Sequence, residues 1–350
     1  MAGLKIGCGY VYSIPNNGKP ISGFSKLGHF HYSLFNYLLM NFDFKFRKGL
    51  FMLFLGLPIL TWAQSPTDEL MMPTKEICFL GNYEFGEFDE YWEGSTLRVN
   101  GTIAKVQRKT AMLMAAYGVI DKLNVYVGLP YISTNSTTPN GGKFAGASGL
   151  QDLSVGLKYE VLKKQSEKGE FSALASLNFS TPVSNYLSDY QPYSLGLGTP
   201  QLAWRAIFNY KWNNGIYLRG VGGYIWKGYT EAEREYYYNQ GSYYTSWMDV
   251  PSSWNYELVL GKWFFQNALR VELNYGSQYS TSGDDIRAYN APQPTNQVNM
   301  DRVGAFAHYY FPQIKGLGVL ASYSQIVDGK NAPKMTSFGL GVTYQFQLLN

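Results

Sequence analysis

The last part of the sequence alternates without exception between two kinds of side chain. In an extended conformation one face carries six apolar side chains, those of Phe338, Leu340, Val342, Tyr344, Phe346 and Leu348. The opposite face carries small or polar residues, namely Ser337, Gly339, Gly341, Thr343, Gln345 and Gln347. Because successive side chains of a β-strand point to opposite faces, this pattern predicts a strand with one apolar and one polar face.

Three earlier segments alternate in the same way. They cover residues 152–161, 269–276 and 302–311. After Ala63 the sequence has no apolar stretch of about 20 residues, the length that a membrane-spanning helix needs. Only helices and closed barrels satisfy every backbone polar group in lipid, so a membrane-inserted form of this chain requires a closed β-barrel.

A soluble β-sandwich also alternates, but two features favour the barrel. Aromatic side chains gather near the predicted strand ends, as in the girdles of membrane barrels; they are Tyr131, Tyr159, Tyr210, Trp212, Tyr224, Trp226, Trp254, Trp263, Phe264, Tyr309, Tyr310 and Phe311. The connections also alternate in length: short ones lie near 119–122, 162–169, 213–215, 265–267 and 312–316, and long ones near 94–104, 134–149, 182–197, 228–250, 281–298 and 328–335. Outer-membrane barrels combine short periplasmic turns with longer external loops.

These boundaries predict an all-β, antiparallel transmembrane β-barrel of about 12 strands. The predicted strands are 81–93, 105–118, 123–133, 150–161, 170–181, 198–212, 216–227, 251–264, 268–280, 299–311, 317–327 and 336–348. The even number places both ends of the barrel on the periplasmic side. The composition agrees, because charged residues make up 15% of the chain against about 25% in soluble globular proteins.

Residues 40–63 have the order of a secretory signal peptide. Lys45, Arg47 and Lys48 form a basic region, and the apolar residues 49–60 follow it. Thr61-Trp62-Ala63 then places small residues at its first and third positions before Gln64. The alternative interpretation of the apolar run is a buried core helix. Met40 gives the signal a basic region of ordinary length, so we interpret residues 1–39 as the product of an upstream start. The Ala63–Gln64 junction resembles export signals common in Bacteroidetes.

The predicted organisation is therefore an upstream segment (1–39), a signal peptide (40–63), a periplasmic segment or short plug (64–80) and a barrel (81–350). The formal charge of +4 arises mainly from the first two parts. Without residues 1–63, the 29 basic and 25 acidic residues fall to 23 and 24. This near neutrality removes the electrostatic case for a nucleic-acid partner. Cys78 is the one cysteine of the predicted mature chain, so no intrachain disulfide is expected.

His308 is the single histidine of the predicted mature chain. Neither a serine nor an acid stands beside it in sequence, so the Ser–His or Asp–His arrangement of an outer-membrane hydrolase is not indicated. One histidine and one cysteine also make no nitrogen and sulfur metal cluster. No phosphate-binding or dinucleotide-binding loop appears on a strand–helix unit. The sequence predicts no enzyme, no metal and no cofactor.

The polar faces of the predicted strands carry charged residues that we assign to the barrel lumen. A charge on the lipid face would cost about 2–4 kcal/mol at mid-membrane, so the inward orientation is favoured. The lumen-facing candidates are Asp152, Lys158, Glu160, Arg205, Arg219, Glu257, Arg270, Glu272, Arg302 and His308. Two interpretations stay open: a structural ladder of paired charges that fills a narrow barrel, and a pathway whose charges select solutes.

Two motifs carry a family resemblance. One runs from Tyr117 to Tyr131 (YGVIDKLNVYVGLPY), and the other from Gly149 to Tyr159 (GLQDLSVGLKY) after a glycine-rich loop. Together they resemble the outer-membrane, transporter-like family named for the meta-pathway of phenol degradation, which is related to long-chain fatty acid and aromatic hydrocarbon channels. The resemblance implies a barrel and an uptake role, and it implies no catalytic residues.

Pro130 lies inside the first motif and removes a backbone donor from its strand. We therefore consider a break in the barrel wall at Pro130, through which an apolar solute could leave sideways into the membrane. Continuous strand pairing on both sides of Pro130 would contradict that hypothesis.

The leading functional hypothesis is a passive channel or transporter in the bacterial outer membrane for small, apolar or aromatic solutes. The expected partners are outer-membrane lipid and a small solute, and nothing in the sequence marks an oligomeric interface. The alternative is a closed structural or partner-binding barrel, with an outer-membrane hydrolase third. The Tyr-rich segment Tyr229–Trp247 is either an ordinary external loop or an aromatic patch that binds a ligand.

Overall fold

The computed structural model describes residues 65–101, 104–140, 144–286 and 292–348. The predicted signal peptide and the upstream segment, residues 1–63, lie outside the described residues and stay predictions. The strands are β1 (Glu76–Phe88), β2 (Glu90–Glu93), β3 (Thr96–Val99), β4 (Val106–Ile120), β5 (Leu123–Asn140), β6 (Phe144–Leu150), β7 (Asp152–Ser166), β8 (Gly169–Pro182), β9 (Gln201–Trp212), β10 (Ile216–Lys227), β11 (Tyr229–Glu231), β12 (Tyr237–Tyr238), β13 (Ser242–Tyr243), β14 (Trp247–Asp249), β15 (Ser253–Phe264), β16 (Leu269–Ser280), β17 (Asn299–Tyr310), β18 (Leu317–Lys330) and β19 (Thr336–Gln347).

Twelve strands form a closed antiparallel barrel. Their order around the wall is β1, β4, β5, β7, β8, β9, β10, β15, β16, β17, β18 and β19. The ring closes because β1 pairs with β4 on one side and with β19 on the other, where Ile77 faces Phe346 and Phe85 faces Phe338. Closure leaves no strand edge exposed to lipid. The predicted fold class and strand number are confirmed.

Most predicted strands lie within a few residues of the observed ones, but the first was predicted wrongly. It was expected at 81–93 and runs from Glu76 to Phe88. Tyr91 and Trp92, which lie inside the expected strand, instead belong to β2, which pairs with β3 outside the barrel wall. The sequence did not reveal the true start of this strand because Cys78 and Leu80 face inward although they are apolar. The alternation of apolar and polar residues is therefore absent there.

The outer surface of the barrel is an apolar band. Large hydrophobic side chains that would be buried in a soluble protein are exposed here, among them Leu113 (71%), Leu273 (61%) and Leu340 (69%). Such a continuous band is the surface that lipid covers. No helix of the part of the chain that the structure describes is long and apolar enough to cross a bilayer.

Aromatic side chains border this band at both ends. At the end with the long loops, Trp204, Tyr224 and Trp254 pack together, with ring centroids 4.9–6.4 Å apart. At the end with the short turns, the ring pairs are Tyr210 with Trp212 and Tyr309 with Phe311. Trp263 and Tyr310, expected in a girdle, are instead buried and stack on each other at 6.0 Å. The two girdles mark the membrane interfaces.

Candidate functional site: the barrel lumen

Residues 65–75, here called the inner segment, lie inside the barrel ahead of β1. The side chains of the inner segment form ion pairs with β7 through Lys158 and with β10 through Arg219. These two strands stand on different parts of the wall. Asp68 and Met72 are almost completely buried. A segment that reaches both strands while buried must occupy the lumen.

Lys158 and Asp68 form the deepest ion pair of the lumen. The Nζ atom of Lys158 lies 2.8 Å from Oδ1 of Asp68, and it also donates to the backbone carbonyls of Ser65 and Asp68 at 2.8 and 3.2 Å. Burial would raise the pKa of the Asp68 carboxyl, but the charges of Lys158, Arg270 and Arg219 and the hydrogen bond from Lys158 together hold that pKa below its ordinary value. The lysine thereby fixes the first turn of the inner segment.

A second charged cluster joins the inner segment to β10 and β16. The Arg219 guanidinium makes two hydrogen bonds to the Glu272 carboxylate, at 3.0 and 3.2 Å, and also pairs with Glu69. Tyr217 donates a hydrogen bond to the same Glu272 carboxylate. Arg270 approaches Glu272 at 3.5 Å. All of these wall side chains are buried, so their charges are compensated within the lumen.

The apolar part of the inner segment fills the lumen near the short-turn end. Leu70 and Met72 pack in a buried cluster with Cys78, Ala116, Tyr126, Tyr217, Val259, Trp263 and Tyr310. The backbone of the segment comes close to β4 at Gly118, where an added Cβ atom would lie 2.1 Å from the Pro73 carbonyl oxygen. Glycine is therefore required at this point of contact.

The inner segment divides the lumen into two cavities. The cavity toward the long loops, here called the outer cavity, has a volume of about 310 Å³ and is bounded by Ser65, Thr67 and Asp68 on the segment side. The cavity toward the short turns has about 390 Å³ and lies against Glu69, Leu70, Met71 and Pro73. Cavities therefore remain on both sides of the inner segment, so the lumen is not filled along its whole length.

The structure brings several predicted residues to the outer cavity. Arg219, Glu257, Arg270, Glu272, Arg302 and His308 all line it. Arg302 lies flat across Gly276, whose added Cβ atom would meet the arginine Nε at 2.9 Å. At Gly223 an added Cβ atom would meet the Trp204 carbonyl oxygen at 2.5 Å and Cγ of Arg205 at 2.7 Å. Gly276 therefore leaves room for the Arg302 side chain to extend along the wall.

Two other predicted residues, Asp152 and Glu160, lie elsewhere in the lumen, whereas His308 belongs to the outer cavity. Asp152 is buried at the long-loop end and accepts a hydrogen bond from Tyr186, a phenol whose pKa is raised by burial and by this carboxylate. Glu160 lines the cavity at the short-turn end. His308 is buried, with Nε2 3.0 Å from the Thr343 hydroxyl and its ring stacked on Tyr310 at 4.0 Å.

The hypothesis of a wall break at Pro130 is wrong. On one side Pro130 faces Met112 in an uninterrupted pairing of β4 with β5. On the other side β5 pairs with β7 up to Gly128 and with β6 from Tyr131, and the Gln151 amide donates to the Pro130 carbonyl at 3.0 Å. The missing donor is accommodated in a bulge where β6 ends and β7 begins, so the wall stays continuous there.

Sequence reasoning missed the residues of the inner segment that complete the site. Asp68 and Glu69 compensate Lys158 and Arg219, and Leu70 and Met72 supply the apolar packing. One signal was available: two acids followed by three apolar residues stand just before the first strand. Such a segment suits a lumen with buried cations. Among the described residues, no group of three or more His, Cys, Asp or Glu is placed to hold a metal ion.

The comparisons with known proteins agree with this architecture. A family model described as a putative MetA-pathway of phenol degradation matches residues 94–346, well over half of the chain. The chain belongs to this family. No curated protein sequence matches the chain. The MetA-pathway family is the one that the two motifs resemble. The resemblance predicted from the sequence is therefore confirmed.

Solved structures share the barrel of this MetA-pathway family member. An outer membrane channel from Pseudomonas putida F1 matches with a TM-score of 0.65 and 14% identity, over 81% of this chain and 100% of that chain. The translocator domain of the autotransporter NalP from Neisseria meningitidis has a TM-score of 0.43 at 12% identity, over 79% and 90%. A deletion mutant of the TodX monoaromatic hydrocarbon channel has a TM-score of 0.39 at 12% identity, over 79% and 91%. The first likeness shows the same barrel fold, and the barrel surface agrees with an outer-membrane location.

Proposed function

We propose that this MetA-pathway family member is a passive outer-membrane channel for small apolar or aromatic solutes. The observation that carries the proposal is the outer cavity. Its wall combines Arg219, Arg270 and Arg302 with an apolar side formed by Phe306 and Leu320. A volume of about 310 Å³ falls at the lower end of the range of small-molecule sites, which begins at about 300 Å³. The phenol-degradation description of the family supports an aromatic solute.

The inner segment defines where a solute would be halted. Ser65, Thr67 and Asp68 form the floor of the outer cavity, and the second cavity begins directly below the same segment. A solute that crosses the barrel therefore requires a shift of residues 65–75. The segment is joined to the wall by side-chain contacts and by three backbone bonds at its C-terminal end, Lys75 to Gly118, Glu76 to Pro73 and Leu348 to Lys75, so residues 65–72 are separable from the strand ladder. We propose that its displacement opens the passage.

We propose no enzymatic activity. His308 is the one histidine in the described part of the chain, and its ring is held between Thr343 and Tyr310. The charged groups that act on it are Arg270 and Asp68, and neither is hydrogen-bonded to the ring. A general base needs a partner that orients it toward a substrate proton, and the surroundings of His308 supply none within the described residues.

Conductance of the purified barrel in planar bilayers tests the channel. We expect the wild-type protein to show small or rare steps, because the inner segment occupies the lumen. A variant in which the segment is displaced, Gly118→Ala, is expected to show frequent steps of larger amplitude. Gly220→Ala is the matched control, since an added Cβ atom there meets nothing within 4 Å.

A closed, structural barrel is the second candidate, and one observation favours it. The buried charges Lys158, Asp68, Arg219 and Glu272 are mutually paired, as in a ladder that fills a lumen. The same conductance experiment separates the two. If Gly118→Ala frees the segment and the barrel still passes no current, the charged ladder is structural and the channel proposal fails.

A further inference from the structure

A groove on the outer face of the barrel wall crosses five neighbouring strands, from β17 through β18, β19 and β1 to β4. Its volume is about 710 Å³. Five outward-facing residues that are paired in turn across these strands line it: Ala307, Ala321, Leu340, Tyr83 and Ala111. The groove, here called the wall groove, therefore lies in the apolar band that lipid covers.

Small residues make this part of the wall concave. Ala307 faces Ala321 on the next strand, and Gly81 faces Leu113. The larger side chains of Leu113 and Tyr83 stand out from the wall beside them, at 71% and 50% exposure. A furrow between small residues with raised apolar borders gives a flexible hydrocarbon chain more contacts than a flat surface does.

The length of the wall groove suits an acyl chain. Neighbouring strands lie about 4.8 Å apart, so a groove that crosses five strands is roughly 19 Å long. One leaflet contributes about 15 Å to a hydrocarbon core of about 30 Å. An acyl chain that reaches from the headgroup level to the middle of the bilayer can therefore lie in the groove along its whole length.

Lys109 stands beside the wall groove at its β4 end. It is an exposed residue on the outward face of β4, two residues from Ala111 toward the long loops. The apolar band ends at this level, because Lys109 faces Ser133 and the next outward pair is Gln107 with Asn135. The lysine ammonium therefore lies where lipid headgroups meet the barrel.

The charge of Lys109 is not compensated by the protein. Glu87, the acid on the neighbouring β1, is already paired with Lys105 at 2.9 Å. Within the described residues Lys109 forms no ion pair. A basic residue at the membrane surface attracts anionic lipid headgroups, so a lipid phosphate is the group that complements it.

We propose that the wall groove binds one acyl chain of an anionic, phosphate-bearing lipid of the outer leaflet, with the phosphate on Lys109. The long loops identify the outer leaflet, because they are external in outer-membrane barrels. A second barrel fits the groove less well, since a rigid convex wall cannot follow a furrow that bends around another convex wall. The proposal concerns the outer face of the wall and does not depend on the channel function.

Native mass spectrometry of the purified protein, released from detergent micelles, tests the site and reports the oligomeric state in the same spectrum. Dipalmitoyl phosphatidic acid is the probe. Dipalmitoylglycerol retains the chains without the phosphate, and dihexanoyl phosphatidic acid retains the phosphate with short chains. We expect the monomeric barrel to bind the probe at least several-fold more tightly than either control lipid.

Two variants separate the phosphate from the chain. Lys109→Gln should weaken binding of the probe by about fivefold, the effect of one basic residue at a membrane surface, and should leave dipalmitoylglycerol unchanged. Ala321→Phe fills the wall groove from a residue that faces lipid. It should weaken the probe and dipalmitoylglycerol alike, by several-fold.

Two matched controls lie on other parts of the wall. Lys262→Gln removes an exposed outward lysine at the short-turn end of β15, and Val155→Phe enlarges an outward residue of β7 that is 44% exposed. Both should bind the probe as the wild type does. Equal binding of the probe and dipalmitoylglycerol, or probe binding that neither Lys109→Gln nor Ala321→Phe weakens, would overturn the proposal. A lipid-free dimer that Ala321→Phe dissociates would instead assign the wall groove to a second copy of the chain.

Discussion

The Lys158 ammonium on the barrel wall and the Asp68 carboxylate of the inner segment lie 2.8 Å apart, and both side chains are buried. The pair joins two parts of the chain that are 90 residues apart in sequence. A buried ion pair adds little stability compared with an apolar pair, but the loss of one partner leaves an uncompensated charge. The pair therefore holds the inner segment in the lumen.

Replacement of Lys158 should release that segment. In Lys158→Met the Asp68 carboxylate would remain buried without its cation, at a cost of about 3–5 kcal/mol, and departure of the segment relieves this cost. Cys78 reports the release because Leu70 and Met72 cover it. We expect maleimide to label Cys78 at least tenfold faster than in the wild type, as measured by mass spectrometry.

Lys163→Met is the matched control for this experiment. Lys163 lies on the same strand and pairs with Glu170 at 3.1 Å, but its side chain is half exposed, so its loss should change little. The double variant Asp68→Leu with Lys158→Met removes both charges and should return Cys78 labelling toward the wild-type rate. Fast labelling of Cys78 in the double variant would mean that the Lys158–Asp68 pair does not hold the inner segment in the lumen.

A steric substitution should release the segment without any change of charge. In Gly118→Ala the new methyl group would meet the Pro73 carbonyl oxygen at 2.1 Å and the Met72 carbonyl oxygen at 2.9 Å, both backbone atoms that cannot rotate away. We expect faster Cys78 labelling and unchanged β-sheet content by circular dichroism. Gly220→Ala should behave as the wild type in both measurements. Wild-type labelling of Gly118→Ala would show that the segment does not dock on β4.

Acid should weaken the docking of the inner segment only at low pH. The pKa of Asp68 lies below its ordinary value of 3.8, since the effect of burial is outweighed by the charges of Lys158, Arg270 and Arg219 and the Lys158 hydrogen bond together. A carboxylate with a lowered pKa stabilises the docked form above that ordinary value, and the contribution is lost as the pH falls through the lowered pKa. Planar-bilayer conductance should therefore stay constant from pH 7 to 5 and rise only below pH 3.8. Asp68→Asn should remove the transition, and a rise already between pH 6 and 5 would assign the docking to another group.

Tyr186 should order the loop at the opposite end of the lumen. Its hydroxyl donates to Asp152 and accepts from the Gly198 amide at 3.1 Å. Tyr186→Phe leaves both partners unsatisfied, at a cost of about 1–3 kcal/mol. Hydrogen–deuterium exchange of the peptide containing Gly198 should accelerate by tenfold or more. Tyr244→Phe, at a side chain that is 84% exposed, is the control that should leave exchange unchanged.

Alternation allowed most of the barrel to be predicted because lipid and lumen impose opposite demands on neighbouring residues. In β19, every second residue from Phe338 to Phe346 faces outward, as the pattern requires. The rule failed at β1, where the lumen side is apolar: Cys78 packs against the inner segment rather than against polar side chains. A strand whose two faces are both apolar carries no period-two signal.

The charged lumen residues followed from the same alternation, but their partners did not. Inward orientation of Lys158 and Arg219 follows from the strand pattern, whereas the pairing with Asp68 and Glu69 depends on how residues 65–75 enter the lumen. No local propensity encodes that path. Pro130 illustrates the opposite error: a missing donor suggested a gap, while the change of partner from β7 to β6 accommodates it in a bulge.

Uptake of an aromatic solute by cells tests the central claim most directly. The comparison is the initial uptake rate of labelled benzyl alcohol by bacteria whose outer membrane carries the wild-type protein, Gly118→Ala, Gly220→Ala or no protein. Intact cells are needed because small apolar molecules cross protein-free liposomes unaided. The channel predicts faster uptake with the wild-type protein than without it, a several-fold further increase for Gly118→Ala, and no further increase for Gly220→Ala. Equal rates in all four strains, with the barrel present in the outer membrane, would contradict it.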